Sequence, residues 1–430
     1  MSAAASAHVH RTIEAVWRIE SARLIAGLAR MLRDVGAAEE LAQDALVAAL
    51  EHWPVEGVPD RPGAWLMTTA KNRALDRLRR QQLLERKQTE IGHDAEVQMA
   101  TLPDFERSAD DDIGDDLLRL IFTACHPVLS TEARVALTLR LLGGLTTDEI
   151  ARAFLVPEPT IAQRIVRAKR SLSEAHVPFE VPRKDELAAR LASVLDVIYL
   201  VFNEGYTATS GDDWMRPALC EEALRLARIL AGLVSGEAEA LGLVALLELT
   251  AARTRARTAA NGAPILLLEQ NRAQWDRLLI QRGLAWLDRA ERLGAPLGPY
   301  ALQAAIAACH ARARNASETD WQRIVALYDA LAALTASPVV ELNRAVAVAM
   351  AFGAAAGLEL VDALVEEPSL KNYHLLPSVR GDLLFKLGRH AEARTEFERA
   401  AALTRNARER ALLIDRVVAC STQTATARPN

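Results

Sequence analysis

Apolar residues recur along almost the whole chain at helical spacing, and no stretch sustains the Val/Ile/Thr alternation that a sheet requires. Abundant Ala, Leu, Arg and Glu, with only 5% aromatic residues, push the backbone the same way. The expected fold class is all-α. At 430 residues, 50% of them hydrophobic, the chain can bury separate cores in two or three domains.

Charge divides the chain more sharply than hydropathy does. The formal net charge is only −5, which excludes a generally basic nucleic-acid coat protein. Yet the segment from Pro62 to Arg80 reads as a helix behind a Pro-Gly breaker. Trp65, Leu66, Thr69, Ala70, Arg73, Leu75 and Leu78 carry its spacing. Lys71, Arg73, Arg77, Arg79 and Arg80 crowd its second half against Asp76 alone. Such a helix is either a solvated basic face or a surface for a polyanion, with nucleic acid the first candidate. Downstream, Asp94, Glu96, Asp104, Glu106, Asp110, Asp111, Asp112, Asp115 and Asp116 oppose Arg107 alone, so residues 91–116 read as an acidic linker.

Two small helical units flank that linker, at residues 10–90 and 117–176. In the first, an amphipathic stretch carrying Val16, Ile19, Leu24, Ile25 and Leu28 ends near Asp34-Val35-Gly36. A second helix from Ala37 to about Trp53 follows, and a proline-rich loop from Pro54 to Pro62 leads into the basic helix. In the second unit, Thr146 and Glu149 form a capping box ahead of Ile150-Ala151-Arg152-Ala153-Phe154. After a short turn, a helix carries Pro159 in its first turn, where proline is tolerated. Ile161, Ile165, Ala168 and Leu172 make its buried face, and Thr160, Gln163, Arg164, Arg167, Lys169 and Arg170 its polar-basic one. Two helices joined by a tight turn, the second with an outward basic face, suit a helix-turn-helix reading the major groove. A helical hairpin with a solvated face would carry the same pattern.

Features that resemble catalytic or metal chemistry are weak. Cys125, Cys220, Cys309 and Cys420 are far apart, which suits a reducing cytoplasm. Cys125-His126 and Cys309-His310 are adjacent pairs without the separated spacing of a zinc site. No phosphate-binding loop or nucleophile–base motif stands out, so no metal, no cofactor and no enzyme activity is expected. Glu204 reads as a buried acid bonded to Tyr206 or to an arginine, in a structural turn more than in a ligand site. The start of the chain carries no signal segment and no apolar run approaches membrane-spanning length, so a soluble cytoplasmic protein is expected.

Taken together, residues 10–175 resemble a bacterial sigma factor of the extracytoplasmic-function (ECF) group. The segment from Asp34 to Asp44 looks like the acidic helix start by which sigma region two docks on RNA polymerase, which implies polymerase contacts at Asp34, Glu39, Glu40, Gln43 and Asp44. Trp65, Leu66, Ala70, Asn72, Asp76, Arg79 and Arg80 match the promoter-melting helix, and Thr160 to Arg170 the recognition helix of region four. The resemblance implies that the loop from about Val55 to Gly63 receives an extruded base. It also implies that Lys71, Asn72, Arg73, Arg77, Arg79 and Arg80 hold DNA as the strands part. Trp65 would either stack on a base or close the helix against the core of the first unit.

Beyond residue 176 the chain continues past a minimal ECF factor. Residues 185–420 resemble the long tetratricopeptide-like extension of one sigma subfamily, through Phe202-Asn203-Glu204-Gly205-Tyr206, Leu241 to Leu247 and Asn271 to Asp276. Leu387-Gly388 followed by Ala393 and Phe397 fits one tetratricopeptide unit, and Phe352-Gly353 lies close to one repeat earlier. Such stacked pairs present a curved surface for a peptide or protein. The implied partners are core RNA polymerase, promoter DNA and a protein regulator on the C-terminal domain. Two other readings stay open: a helix-turn-helix regulator with a helical sensor domain, and a tetratricopeptide-type scaffold with merely solvated basic helices.

Overall fold

The structure, a computed structural model, describes residues 3–89, 109–154, 156–207, 215–259 and 263–426. Among these residues there are eighteen α-helices, short 3-10 turns and one isolated antiparallel bridge between Thr258 and Pro264. No described helix is long and apolar enough to cross a membrane. The chain divides into two compact units, Met1–Ile198 and Tyr199–Asn430.

The first unit is built from α1 (Ala3–Leu32), α2 (Val35–Glu56), α3 (Pro62–Thr89), α4 (Ala109–Ala124), α5 (Thr131–Leu141), α6 (Thr147–Phe154) and α7 (Glu158–Glu174), with the first part of α8 (Lys184–Tyr206). Asp34 starts α2, its carboxylate accepting from the Ala37 amide at 3.0 Å. The helix runs past Pro54 to Glu56, so the expected Pro54–Pro62 loop is shorter. Gly57, at φ +93°, ends the helix by donating to the Trp53 carbonyl at 3.0 Å. Ile13, Leu24, Ile25 and Leu28 of α1 are buried, as are Ala38, Leu41, Ala42, Ala45 and Trp53 of α2 and Leu66, Ala70 and Ala74 of α3. Helix α1 packs on α2 and α3 and also on α4, so the two parts separated by the acidic segment share one unit.

Residues 91–108 of the expected linker lie outside the described residues, but its last part does not behave as a linker. Residues 109–116 belong to α4, and Asp116 is buried. Its carboxylate accepts from Arg119 at 2.7 Å and lies 3.3 Å from Arg30 of α1. The sequence hid this because the acid's interhelical partner is remote in the chain.

The second unit continues from Tyr199 through α9 (Pro217–Leu233), α10 (Ala238–Ala251), α11 (Arg277–Arg292), α12 (Pro299–Arg312), α13 (Trp321–Leu334), α14 (Pro338–Phe352), α15 (Ala354–Asp362), α16 (Leu375–Lys386), α17 (His390–Leu403) and α18 (Ala407–Thr426). Its helices pack mainly on their neighbours in sequence, the nearest-neighbour pattern of a helical repeat. Helix α10 is the exception, buried all round between α9, α11 and α12. A Cβ on Gly242 would stand 2.7 Å from the Ala301 backbone, so only glycine permits that approach of α12. Glu248 of α10 is fully buried and is neutralised by Arg228 of α9 at 2.8 Å and Arg282 of α11 at 3.1 Å.

The motifs singled out in this unit hold its architecture. Glu204 pairs with Arg216, the arginine partner expected from sequence. A Cβ on Gly205 would meet the Cys220 amide nitrogen at 2.7 Å, so Gly205 lets α9 pass close by. Asp276 caps α11 by accepting from the Leu278 and Leu279 amides at 2.9 and 3.1 Å. Arg272 donates to the His310 and Ala313 carbonyls and to Thr319. The tetratricopeptide-like pair becomes α16 and α17. Phe397 packs over Gly381, and Gly388 turns the chain at φ +76°.

Candidate nucleic-acid and polymerase interface

Helix α3 presents its basic residues along one side because its other side is occupied. Leu66, Ala70 and Ala74 recur at four-residue spacing and are buried, which leaves Asn72, Asp76, Arg77, Arg79 and Arg80 exposed and Lys71 and Arg73 half-buried. Trp65 is half-buried and meets the buried Trp53 edge-on, with ring centroids 5.5 Å apart. The Trp53 contact sets Trp65 beside the core of its own unit and leaves the residue half-exposed.

Helix α2 lies alongside and turns acids toward that basic side. Arg77 approaches Glu40 at 3.2 Å and Arg73 approaches Asp44 at 3.9 Å, with all four side chains 40% or more exposed. Exposed pairs of this kind contribute about 0–1 kcal/mol and are screened by salt, so a polyanion competes for the arginines easily. Asp34, Glu40 and Asp44 are exposed and Gln43 is half-buried. Acids expected to meet polymerase and cations expected to meet DNA therefore stand on adjacent helices.

Glu39 departs from that pattern. The resemblance implies that it contacts polymerase, yet the residue is only 2% exposed. Gln43 donates to its Oε1 at 2.5 Å, Arg140 of α5 donates to the same oxygen at 2.6 Å, and the Lys169 ammonium of α7 lies against Oε2. Lys169, expected on the DNA-facing side of its helix, is thereby drawn inward onto α2. Arg140, which the sequence reading did not single out, also donates to the Leu145 carbonyl at 3.1 Å. No local signal marks it, since it lies 101 positions from Glu39.

The helix-turn-helix forms where expected. The Glu149 carboxylate accepts from the Thr146 amide at 2.8 Å, and the Thr146 hydroxyl accepts from the Glu149 amide at 3.1 Å. Burial pushes the Glu149 carboxyl up, but its bonds with Thr146 and with Arg18 outweigh this and hold it below its ordinary value. Arg18, from α1, reaches it at 2.8 Å. Ile161, Ile165, Ala168 and Leu172 are buried beneath α7, leaving Thr160, Gln163, Arg167 and Arg170 exposed and Arg164 half-buried. Arg170 is engaged by Glu174 at 2.6 Å.

Cys125 and His310 are buried, whereas His126 and Cys309 are half-buried. Burial pushes the Cys125 thiol up to about 11, with Thr138 at 3.3 Å, and lowers His126 to about 4. Burial likewise lowers His310 to about 4, and Trp321 meets its ring edge-on at 5.2 Å. Among the described residues no three His, Cys, Asp or Glu side chains gather as metal ligands would.

The fold and this geometry agree with what the chain is similar to. The family "Sigma-70 region 2" matches residues 19–83, from α1 into α3, and "Sigma-70, region 4" matches residues 119–172, from α4 to α7. A "Family of unknown function (DUF6596)" matches residues 190–291. An uncharacterized protein of Rhizobium meliloti (strain 1021) is 45% identical over 90% of both chains. The ECF RNA polymerase sigma factor SigK of Mycobacterium ulcerans is 33% identical over 34% of this chain and 75% of its own length. The probable ECF RNA polymerase sigma factor SigI of Mycobacterium tuberculosis is 27% identical over 40% of this chain and 58% of its own length. No solved structure matches the chain.

Proposed function

The chain belongs to the ECF RNA polymerase sigma factors, which bind core polymerase and promoter DNA to direct transcription initiation, and from that premise we propose residue roles for this member. Asp34, Glu40, Gln43 and Asp44 on α2, with Glu39 once it is uncovered, contact core polymerase. Lys71, Asn72, Arg73, Arg77, Arg79 and Arg80 on α3 hold the promoter backbone while the strands separate. Thr160, Gln163, Arg164, Arg167 and Arg170 on α7 face the second promoter element, joined by Lys169 when it leaves Glu39. An arginine in this set that meets guanine edge-on discriminates by about 1–3 kcal/mol, whereas a phosphate contact adds salt dependence without choosing sequence.

The observation that carries this reading is the division of α3 and α7 into a buried apolar side and an exposed basic side. Transcription in vitro with purified core polymerase and no other sigma factor tests it. Promoter-specific transcripts are expected. Specific DNA binding without initiation would favour a helix-turn-helix regulator, and neither activity would favour a scaffold.

The C-terminal unit regulates initiation in cis or through a protein docked on its helical repeat. Supporting a docking role, the helices of this unit pack mainly on their neighbours in sequence, as in helical repeats that present a surface to a peptide or protein. The test removes residues 207–430 rather than cutting near residue 180. The longer piece keeps Arg190 and Ser193, which hold the Phe122 and Cys125 carbonyls at 2.8 and 2.7 Å. Altered promoter output is expected; unchanged output with unchanged regulation would end this reading.

A further inference from the structure

Glu39 sits where three helices converge, and both of its oxygens are taken from the region-four side. Arg140 of α5 holds Oε1 at 2.6 Å, and Lys169 of α7 holds Oε2. Two further ion pairs cross the same boundary: Arg18 of α1 to Glu149 of α6 at 2.8 Å, and Arg30 of α1 to Asp116 of α4 at 3.3 Å. One contact thus covers a carboxylate assigned above to polymerase and an ammonium assigned above to DNA. We propose that the Glu39–Arg140–Lys169 triad is an autoinhibitory clasp between the two sigma regions, and that it opens before this chain initiates transcription. The proposal rests on the residue roles given above for α2 and α7.

The physical character of the contact suits a clasp. A buried carboxylate facing two cations gains little net stability, because attraction is spent on desolvation; losing one partner strands a charge. The triad is therefore close to neutral when whole and unfavourable when half broken. The contact is also not sealed. A cleft of about 830 Å³ opens beside it, lined in part by Arg30, Arg33, Asp34, Arg119, Lys169 and His176, so water and competing ions reach its margin. Opening exchanges like for like. Polymerase cations replace Arg140 and Lys169 at Glu39, and DNA phosphates replace Glu39 at Lys169. Because coupling of this kind is reciprocal, each macromolecule strengthens binding of the other by favouring the open form.

The test uses the full chain and residues outside the proposed binding surfaces. Arg18→Cys and Glu149→Cys, in a Cys309→Ser background, are joined by a bis-maleimide carrying a reducible spacer, which locks α1 to α6. The locked protein is expected to lose core-polymerase binding and promoter-specific transcription at least ten-fold, with both restored when the spacer is reduced. Arg140→Gln, which loosens the clasp without a lock, is expected to tighten core-polymerase binding by about ten-fold if the closed form is about nine-tenths populated. Locked protein that binds core polymerase and transcribes as well as its reduced form would overturn the proposal. A separate control keeps the two readings apart: Arg79→Ala/Arg80→Ala that initiates normally in the unlocked chain would refute the promoter-contact roles instead.

Discussion

The exposed arginines of α3 and α7 in the sigma unit and the buried Arg257 and Arg272 of the C-terminal unit perform opposite tasks. In the sigma unit Arg77, Arg79 and Arg80 stand exposed on α3, and Arg167 stands exposed on α7. In the C-terminal unit Arg257 and Arg272 are buried, 7% and 6% exposed, and their partners are largely backbone carbonyls, hydroxyls and rings. Arg257 lies 3.5 Å over the Tyr206 ring and bonds the Tyr206 carbonyl and Thr207 hydroxyl. Burial lowers the pKa of both guanidiniums, though arginine keeps its charge throughout the physiological range. The exposed cations of α3 and α7 remain available to a polyanion. Those of Arg257 and Arg272 are consumed in holding the fold.

The largest effect that could break this contrast is at Arg272. Its Nη1 donates to the His310 and Ala313 carbonyls at 2.8 and 2.9 Å and its Nη2 to Thr319 at 2.9 Å, so it caps the end of α12 with a cation. Arg272→Met leaves buried acceptors unpaired, at about 1–3 kcal/mol for each one lost. A total loss of about 3 kcal/mol or more is expected in equilibrium unfolding of the C-terminal unit, followed by circular dichroism and tryptophan fluorescence together. A loss below about 1 kcal/mol would mean that water replaces the arginine, and the buried-clamp account would fail.

That difference between units was invisible in the sequence, and the reason is distance along the chain. What depends on near neighbours was legible: the all-α class, the Thr146–Glu149 capping box, Pro159 in the first turn of α7 and the buried face from Ile161 to Leu172. Each follows from spacing within a few turns. Glu39 and Asp116 look like surface acids by that measure. They are buried because Arg140 stands 101 residues away and Arg30 lies on another helix. Arg272 resembles any loop arginine until α12 brings its carbonyls over it, and Thr319 lies 47 residues on.

The exposed arginines of the sigma unit provide the converse test. Arg79→Ala/Arg80→Ala should leave stability within about 0.5 kcal/mol, as exposed positions do. If each contacts one phosphate, promoter affinity in 0.1 M salt should fall about ten-fold per residue and the salt slope should diminish by about two. Titration of promoter fragments across a salt series reads both quantities. Lost stability together with an unchanged slope would show that α3 uses its cations as the C-terminal unit uses Arg272.

Acidification should weaken the C-terminal unit through His310. Its pKa is lowered from 6.5 to about 4 by burial first and then by Arg253 and Arg272, while the unfolded chain keeps an ordinary value. The unfolded state therefore binds the extra proton as pH falls through 6.5, and stability declines from there toward pH 4. Between pH 7 and pH 5 this contributes a loss of about 1–2 kcal/mol, to be followed by urea midpoints at each pH. His310→Asn, which cannot titrate, should flatten that window; an unaltered pH profile would assign the acid sensitivity to other groups.

The smallest effect lies at the Arg18–Glu149 pair, and it separates a strap from an ornament. Arg18 is 66% exposed at its side chain, so the pair itself should couple by no more than about 1 kcal/mol in a double-mutant cycle. Glu149 has a second duty as the capping partner of Thr146, so Glu149→Ala alone will cost more than the coupling. Arg18→Ala is the cleaner single variant because it leaves the α6 cap intact. Its stability loss should disappear at 1 M salt, where exposed charges are screened beyond about 3 Å, while the buried Glu39 triad keeps most of its attraction. If Arg18→Ala weakens the unit equally at low and high salt, then α1 contacts α6 through packing rather than charge, and the charge across this boundary rests on the Glu39 triad and the Arg30–Asp116 pair.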